Sequence, residues 1–148
     1  MHVCWSFLDK RTATAAAVEA YYDMKYILEN TDDEIRTVRV KMEGVGAVNM
    51  DGQPHGNNDR ATEDRIIDGI EKIDILRERY RQAEEYMAWF KPAWEHLTDD
   101  ERFVLEAFYV KETGYKQVMQ HFCIERSSAN NKKYRALDRL TVMLYGKK

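Results

Sequence analysis

Two long stripes of apolar residues at heptad spacing constrain the fold of this chain more than any other feature of its sequence. In each stripe the apolar positions recur at spacings of three and four, which places them on one side of an α-helix. The first stripe comprises Ala17, Tyr21, Met24, Leu28, Ile35, Val38 and Met42, with the polar Thr31 in register. The second comprises Ile66, Ile70, Ile73, Leu76, Tyr80, Ala83, Met87 and Phe90. We therefore expect two long amphipathic helices.

The segment between the stripes, residues 44–60, has the sequence GVGAVNMDGQPHGNNDR and the composition of a loop. Two helical arms joined by one loop predict a long antiparallel helical hairpin over residues 1–96. Thr31 and Glu34 also fit a capping box, so the first arm either breaks there or continues in phase. Because a hairpin with a single seam buries little area, we expect it to form a homodimer, bind another partner or pack against the rest of the chain.

The second arm is expected to run from about Thr62 to Lys91, where Pro92 ends or bends it. One step in its stripe, from Ile73 to Leu76, is shorter than strict heptads require, which predicts a local packing adjustment. Aromatic residues cluster at the end of the arm, namely Trp89, Phe90 and Trp94. Aromatics at such a junction are typical of packing between modules.

The last part of the chain, residues 97–148, has the pattern of a three-helix module. Thr98 and Glu101 form a capping box at the start of its first helix. A short helix then covers about Tyr115 to Phe122, and the turn Cys123-Ile124-Glu125 leads into a third helix from about Ser127 to Tyr145. The apolar side of this third helix is expected to consist of Ala129, Leu137, Leu140 and Leu144. A short second helix, a three-residue turn and a basic third helix predict a helix-turn-helix. The expected fold class is therefore all-α.

The third helix carries the candidate DNA-binding residues. Residues 120–148 contain seven Lys/Arg and two Asp/Glu, a balance of +5 in a chain of net charge -3. A basic segment on an acidic body favours contact with a polyanion. Arg and Asn side chains can read guanine and adenine, and Ser and Lys suit phosphates. The candidates are Arg126, Ser127, Ser128, Asn130, Asn131, Lys132, Lys133 and Arg135.

The segments LTDDERFVLEAFYV and VMQHFCIERSSANNKKYRALDRL resemble region four of bacterial sigma factors. The resemblance is carried by Glu101-Arg102 with Val104-Leu105, Val118-Met119 with Phe122-Cys123-Ile124, and Ser127-Ser128-Ala129 with Arg135-Ala136-Leu137. The full layout is similar to small phage and mobile-element proteins of the ArpU-like group of late regulators. This resemblance implies DNA binding and transcription control in a phage or mobile element. Cys123 stands where the family has Gly, so a positive φ at Cys123 would be strained.

Sequence signatures of catalysis and metal binding are absent. There is no Gly-rich phosphate loop, no paired-Cys motif and no HExxH, and the four His residues are scattered. We therefore expect no enzyme, no cofactor and no metal site. The opening HVCWSFL does not have the form of a signal peptide, no apolar run is long enough for a bilayer, and Cys4 and Cys123 lie far apart. These features predict a reduced, cytoplasmic protein.

Two functions remain open from the sequence. The first is a DNA-binding transcriptional regulator that reads double-stranded DNA through its third C-terminal helix. The second is a protein-binding accessory module with a degenerate helix-turn-helix, which would dock on RNA polymerase or inhibit a host defence nuclease. Residues 1–96 would serve oligomerisation or partner binding in the first case and would be the working surface in the second.

Overall fold

The computed structural model describes residues 9–47 and 58–147. Every regular element in these ranges is an α-helix, which confirms the all-α class. The helices are α1 (Lys10–Ala47), α2 (Asn58–His96), α3 (Asp99–Tyr109), α4 (Gly114–Phe122) and α5 (Arg126–Tyr145). None of them combines the length and apolarity needed to cross a bilayer. The opening segment with Cys4, and residues 48–57 of the expected loop, lie outside the described residues.

Helix α1 runs without a break for 38 residues. Asp9 precedes its first turn, where its carboxylate accepts hydrogen bonds from the Thr12 hydroxyl at 2.7 Å and the Thr12 amide at 3.4 Å. Thr31 does not cap a second helix, because its buried hydroxyl donates to the Ile27 carbonyl of the preceding turn at 2.5 Å. The alternative of a continuous arm is therefore confirmed. The expected loop bounds of 44 and 60 are wrong, because α1 continues past Gly44 and Gly46 to Ala47 and α2 begins at Asn58.

Helix α2 covers 39 residues and contains Pro92 in its interior. The expectation that Pro92 could end the arm is wrong, because the helix continues to His96. Proline removes one backbone hydrogen bond and crowds the preceding turn. The residues just beyond it, Ala93, Trp94 and Leu97, are all buried. Burial of this apolar surface offsets the cost of keeping the proline inside the helix.

The described chain forms two compact units. The terminal unit comprises residues 9–24 and 86–147, so it contains one end of each long helix together with α3, α4 and α5. The middle unit comprises the described residues of 25–85. The functional assignment of residues 1–96 to one domain and 97–148 to another stays a prediction.

The terminal unit has a continuous apolar core. Phe90 is fully buried, stacks on Tyr86 with ring centroids 5.1 Å apart and stacks on Trp94 at 5.5 Å. The aromatic residues at the end of the second arm therefore pack as expected, although Trp89 is 40% exposed. The buried members of this core cluster are Ala17, Val18, Phe90, Ala93, Trp94, Leu97, Leu105, Ala136, Leu137, Leu140 and Leu144.

Polar contacts also join α1 to the C-terminal helices within the terminal unit. The buried hydroxyl of Thr141 donates to that of Thr14 at 2.9 Å, and Thr14 in turn donates to the Lys10 carbonyl. The Tyr22 hydroxyl donates to the Glu106 carboxylate at 2.8 Å. The contacts of Thr14 and Thr141 satisfy buried hydroxyls that would otherwise be costly to remove from water, whereas the Tyr22–Glu106 contact is exposed.

A second, smaller apolar cluster holds α3, α4 and α5 together. Its buried members are Val104, Ala107, Val118 and Ala129. Helix α3 begins with the expected capping box, in which the Glu101 amide donates to the Thr98 hydroxyl at 3.2 Å and the Glu101 side chain accepts from the Thr98 amide. This cap fixes the start of α3, and the cluster fixes α4 and α5 against it.

The middle unit has few buried residues. In its described part the buried positions are Thr31, Gly69, Ile73 and Ala83. Its two helical segments contact each other through the Glu34–Arg79 ion pair, at 2.9 Å.

The expected inward stripe of α2 is correct from Ile73 onward and wrong before it, because Ile66 and Ile70 are 40% and 50% exposed. Gly69 is buried in their place. A Cβ atom at residue 69 would collide with the Met42 side chain. Because Gly69 has no side chain, the side chain of Met42 can lie close to the backbone of α2 at this position.

Candidate nucleic-acid interface

The turn between α4 and α5 depends on a left-handed backbone at Cys123, which has φ 52° and ψ 50°. The Ile124 amide donates to the Met119 carbonyl at 3.1 Å and so closes the end of α4. Glu125 then returns to an extended backbone, and α5 begins at Arg126. The positive φ expected to strain a non-glycine residue at Cys123 is present, at a cost of roughly 1 kcal/mol.

Helix α5 has one buried side and one exposed side. Its buried residues are Ala129, Ala136, Leu137, Leu140, Thr141 and Leu144, which include all four of the expected apolar positions. None of the eight candidate DNA-binding residues is buried. Asn130 and Lys133 are half-buried, whereas Arg126, Ser127, Ser128, Asn131, Lys132 and Arg135 are exposed.

Three of the candidates meet at one aromatic ring, that of Tyr115 in the first turn of α4. The Arg126 guanidinium lies 4.5 Å from the ring centroid and the Lys133 ammonium lies 5.9 Å from it. The Tyr115 hydroxyl donates to the amide oxygen of Asn130 at 2.9 Å. Positions 126, 130 and 133 share one side of α5, so Tyr115 orients all three side chains. The oxygen of Asn130 has a second lone pair and its amide nitrogen makes no hydrogen bond with the described residues, so paired hydrogen bonding to adenine is compatible with the tyrosine contact only in the side-chain orientation that this contact sets.

A second group of candidates faces away from Tyr115. Ser128, Asn131 and Arg135 have the spacing of a single stripe along the helix. Their side chains make no hydrogen bond or ion pair with the described residues. They are therefore available to a ligand without breaking an internal contact.

Other aromatic rings position the two lysines of this segment. The Lys132 ammonium lies 4.6 Å from the centroid of Phe122. Lys133 lies 5.1 Å from Phe108 and 4.5 Å from Tyr134. Cation–π contacts hold a side chain in place without removing its charge.

The cations of the two halves of α5 differ in their partners. Arg126, Lys132, Lys133 and Arg135, in the amino half, form no ion pair with any carboxylate in the part of the chain that the structure describes. In the carboxyl half, Arg139 pairs with Glu101.

The acid of the carboxyl half is also paired, because Asp138 takes two hydrogen bonds from Arg11, at 2.7 and 2.8 Å. These hydrogen bonds raise the pKa of the Arg11 guanidinium. The amino half therefore keeps its positive charge for an external anion, with Glu125 as a neighbouring negative group.

This arrangement suits a polyanion with a phosphate backbone. Four cations lie within ten residues, and the first turn of α5 also offers backbone N–H groups and the hydroxyls of Ser127 and Ser128. Sequence reasoning found these residues but missed Tyr115, because an aromatic residue in a short helix has no spacing that relates it to the next helix. Its distance from Arg126 becomes apparent only when the turn is folded.

The histidines and acids of the described chain do not add a metal centre to this surface. No group of three or more His, Cys, Asp or Glu residues in residues 9–47 and 58–147 has the geometry to hold a metal ion. His121 is exposed and stacks on Phe103 with ring centroids 4.1 Å apart.

The chain matches no protein-family model, no curated protein and no solved structure.

Proposed function

We propose that this chain is a DNA-binding protein whose helices α3, α4 and α5 act as a helix-turn-helix, with α5 entering the major groove of a duplex. Its resemblance to region four of sigma factors extends the proposal to transcription regulation in a phage or mobile element. The single observation that carries the proposal is the exposed amino half of α5, with four cations that have no carboxylate partner among the described residues.

The contacts around Tyr115 divide the candidate residues into two roles. Ser128, Asn131 and Arg135 are proposed to reach base edges, because their side chains are exposed and make no hydrogen bond or ion pair with the described residues. Arg126 and Lys133 are proposed to contact phosphates, since the ring of Tyr115 limits their reach while leaving their charge. Lys132 and the two serines at the start of α5 would extend the phosphate contacts.

Helices α1 and α2 are proposed to form the long antiparallel hairpin expected from the sequence. The Glu34–Arg79 ion pair and the contact of Met42 at Gly69 support this arrangement, because the partner on α2 moves toward its start as the partner on α1 moves toward its end. The hairpin would carry the association of the protein with other chains, while residues 97–148 meet the DNA.

A salt series tests the proposal directly. Fluorescence anisotropy would follow binding to a labelled duplex of about 25 base pairs, long enough to include more than one helical turn. The three cations assigned to phosphates predict that the logarithm of the affinity falls with the logarithm of salt concentration with a slope of about 3. Removing one contact, in Arg126→Ala or Lys132→Ala, should reduce that slope by about 1.

Cations of the other unit provide matched controls. Arg81→Ala removes the same charge as Arg126→Ala, but Arg81 is ion-paired with Glu78 at 2.6 Å and also with Glu85. This variant should bind the duplex as the unaltered protein does. Equal losses from Arg81→Ala and Arg126→Ala would show that only the total charge matters and would contradict the proposed surface.

Absence of duplex binding at about 50 mM salt, where nonspecific contacts are strong, would reject the DNA-binding proposal. The protein-binding alternative, with RNA polymerase or a defence nuclease as the partner, would then take its place. A pull-down from host lysate with nuclease treatment would test that alternative, because a partner held only through DNA would be lost.

A further inference from the structure

An exposed apolar patch lies on α2 in the middle unit. Ile66, Ile67 and Ile70 are 40%, 53% and 50% exposed and fall within five successive residues. At about 100° per residue, all three lie within roughly one third of the helix circumference. A contiguous group of exposed isoleucines on a unit with so few buried residues marks an interaction surface.

Charged residues of both signs flank this patch, with Glu63 on one side and with Asp74 and Arg77 on the other. Glu63 lies seven residues before Ile70, and Arg77 lies seven residues after it. Both are exposed, and neither forms an ion pair within residues 25–43 and 60–85, the part of the middle unit whose side chains the structure describes.

The positively charged surroundings of Arg77 favour the binding of an additional acidic group. It lines an open groove of about 530 Å³ together with Arg36 and Arg39, and Asp32 is the carboxylate in that lining. Arg36 is paired with Asp33 at 3.4 Å, whereas Arg39 and Arg77 form no ion pair with the described residues, so the groove can still attract a further negative group.

We propose that this patch is covered by a second copy of the same chain, with the two α2 helices running antiparallel about Ile70. In that arrangement Ile70 meets Ile70 of the other copy near the two-fold axis, and Glu63 of each copy lies beside Arg77 of the other. A parallel arrangement would instead place Glu63 beside Glu63 and Arg77 beside Arg77 of the other copy. A two-fold contact uses the same residues from both chains, so one self-complementary patch is sufficient.

The proposed contact is short. Residues 63–77 span about 21 Å of helix at 1.5 Å per residue, which places the interface at the small end of the range for specific association. We therefore expect a dimer that dissociates in the micromolar range. Analytical ultracentrifugation of the full chain, without DNA, from about 1 to 100 µM would cover that range.

Substitution of the central isoleucine tests the patch. Ile70→Asp should leave a monomer at every concentration, because it places a carboxylate at the two-fold axis. Ile75→Asp is the matched control: Ile75 is 67% exposed on the same helix, but about 140° around it from Ile70. This variant should dimerise as the unaltered chain does. A monomeric unaltered chain, or equal loss of dimer in both variants, would overturn the proposal.

Charge reversal tests the antiparallel register. Glu63→Arg and Arg77→Glu should each weaken the dimer by about tenfold or more, since each places like charges together across the axis. The double variant restores opposite charges at both contacts and should recover most of the dimer. A double variant weaker than either single variant would overturn the register. Because these measurements use no DNA, they can fail while the duplex-binding proposal stands, and the reverse also holds.

Discussion

The terminal and middle units are built from the same two long helices, yet they bury very different amounts of side chain. In the terminal unit, α1 and α2 pack with α3 to α5 around fully buried residues such as Phe90, Leu105 and Leu140. In the middle unit the described helices have only each other, and isoleucines such as Ile67 and Ile75 are more than half exposed. The difference shows that these two long helices bury a large apolar core only in the unit where further helices pack against them.

This contrast implies a division of labour. The terminal unit holds α5 in place, so that the exposed cations of that helix have a fixed geometry. The middle unit has few buried side chains and exposes apolar surface. Substitutions should therefore affect stability strongly in the first unit and weakly in the second.

The largest expected effect is that of Phe90→Ala. The side chain is fully buried between Tyr86 and Trp94, so its removal leaves a cavity and should lower the free energy of unfolding by about 3–5 kcal/mol. Ile75→Ala in the middle unit should change it by less than about 0.5 kcal/mol. Urea denaturation followed by circular dichroism measures both. Similar losses from the two variants would remove the contrast between the units.

The next effect concerns the buried hydroxyl pair of the terminal unit. Thr141→Val removes the donor to Thr14 and should lower the free energy of unfolding by about 1 kcal/mol. Thr14→Val in the Thr141→Val background should lower the free energy of unfolding by less than Thr14→Val alone, because the hydrogen bond between the two hydroxyls is already absent there. A double-mutant cycle measures this coupling. Strictly additive losses would mean that the two hydroxyls do not interact.

A smaller effect separates the ring of Tyr115 from its hydroxyl. Tyr115→Leu removes the cation–π contact with Arg126 and should weaken duplex binding about threefold to fivefold, corresponding to roughly 0.5–1 kcal/mol. Tyr115→Phe keeps the ring and frees the amide of Asn130, so it should retain the affinity of the unaltered protein. Anisotropy titrations compare the two variants. A larger loss in Tyr115→Phe would show that the hydroxyl, and not the ring, positions this surface.

The smallest effect is a pH dependence in the terminal unit, because its group, Tyr22, is 42% exposed and solvent screens most of its interaction with Glu106. Partial burial, with a contribution from the Glu106 carboxylate, raises the pKa of Tyr22 from 10.0 to about 12. The folded state therefore retains a proton that the unfolded chain loses above pH 10.0, so this contribution to stability is present below that pH and declines up to about pH 12. Tyr22→Phe should show a smaller decline over the same interval in urea denaturation. An identical decline would assign it to other groups.

Much of the fold could be predicted because its signals are local. The capping box at Thr98, the turn at Cys123 and the buried positions of α5 depend on residues close together in the sequence, and all three are confirmed. The continuation of α2 through Pro92 could not be predicted, because it depends on the burial of Trp94 in a core formed by distant helices.

The inward side of the early part of α2 was missed for a different reason. A hydrophobic stripe is recognised by apolar side chains, and the buried position there is Gly69, which has none. Ile66 and Ile70 continue the apparent stripe in sequence but lie to one side of the actual seam. At the candidate interface, the residue types indicated the cations of α5. The sequence did not indicate that Asp138 on the same helix is paired with Arg11. Pairing of this kind is set by tertiary structure.

The most direct test of the central claim is a chemical-shift map of the protein during titration with a short duplex. If α5 enters the major groove, amide signals of residues 126–135 should shift most, and those of residues 60–85 should not change at equal duplex concentration. Shifts concentrated in residues 60–85, with α5 unchanged, would contradict the account.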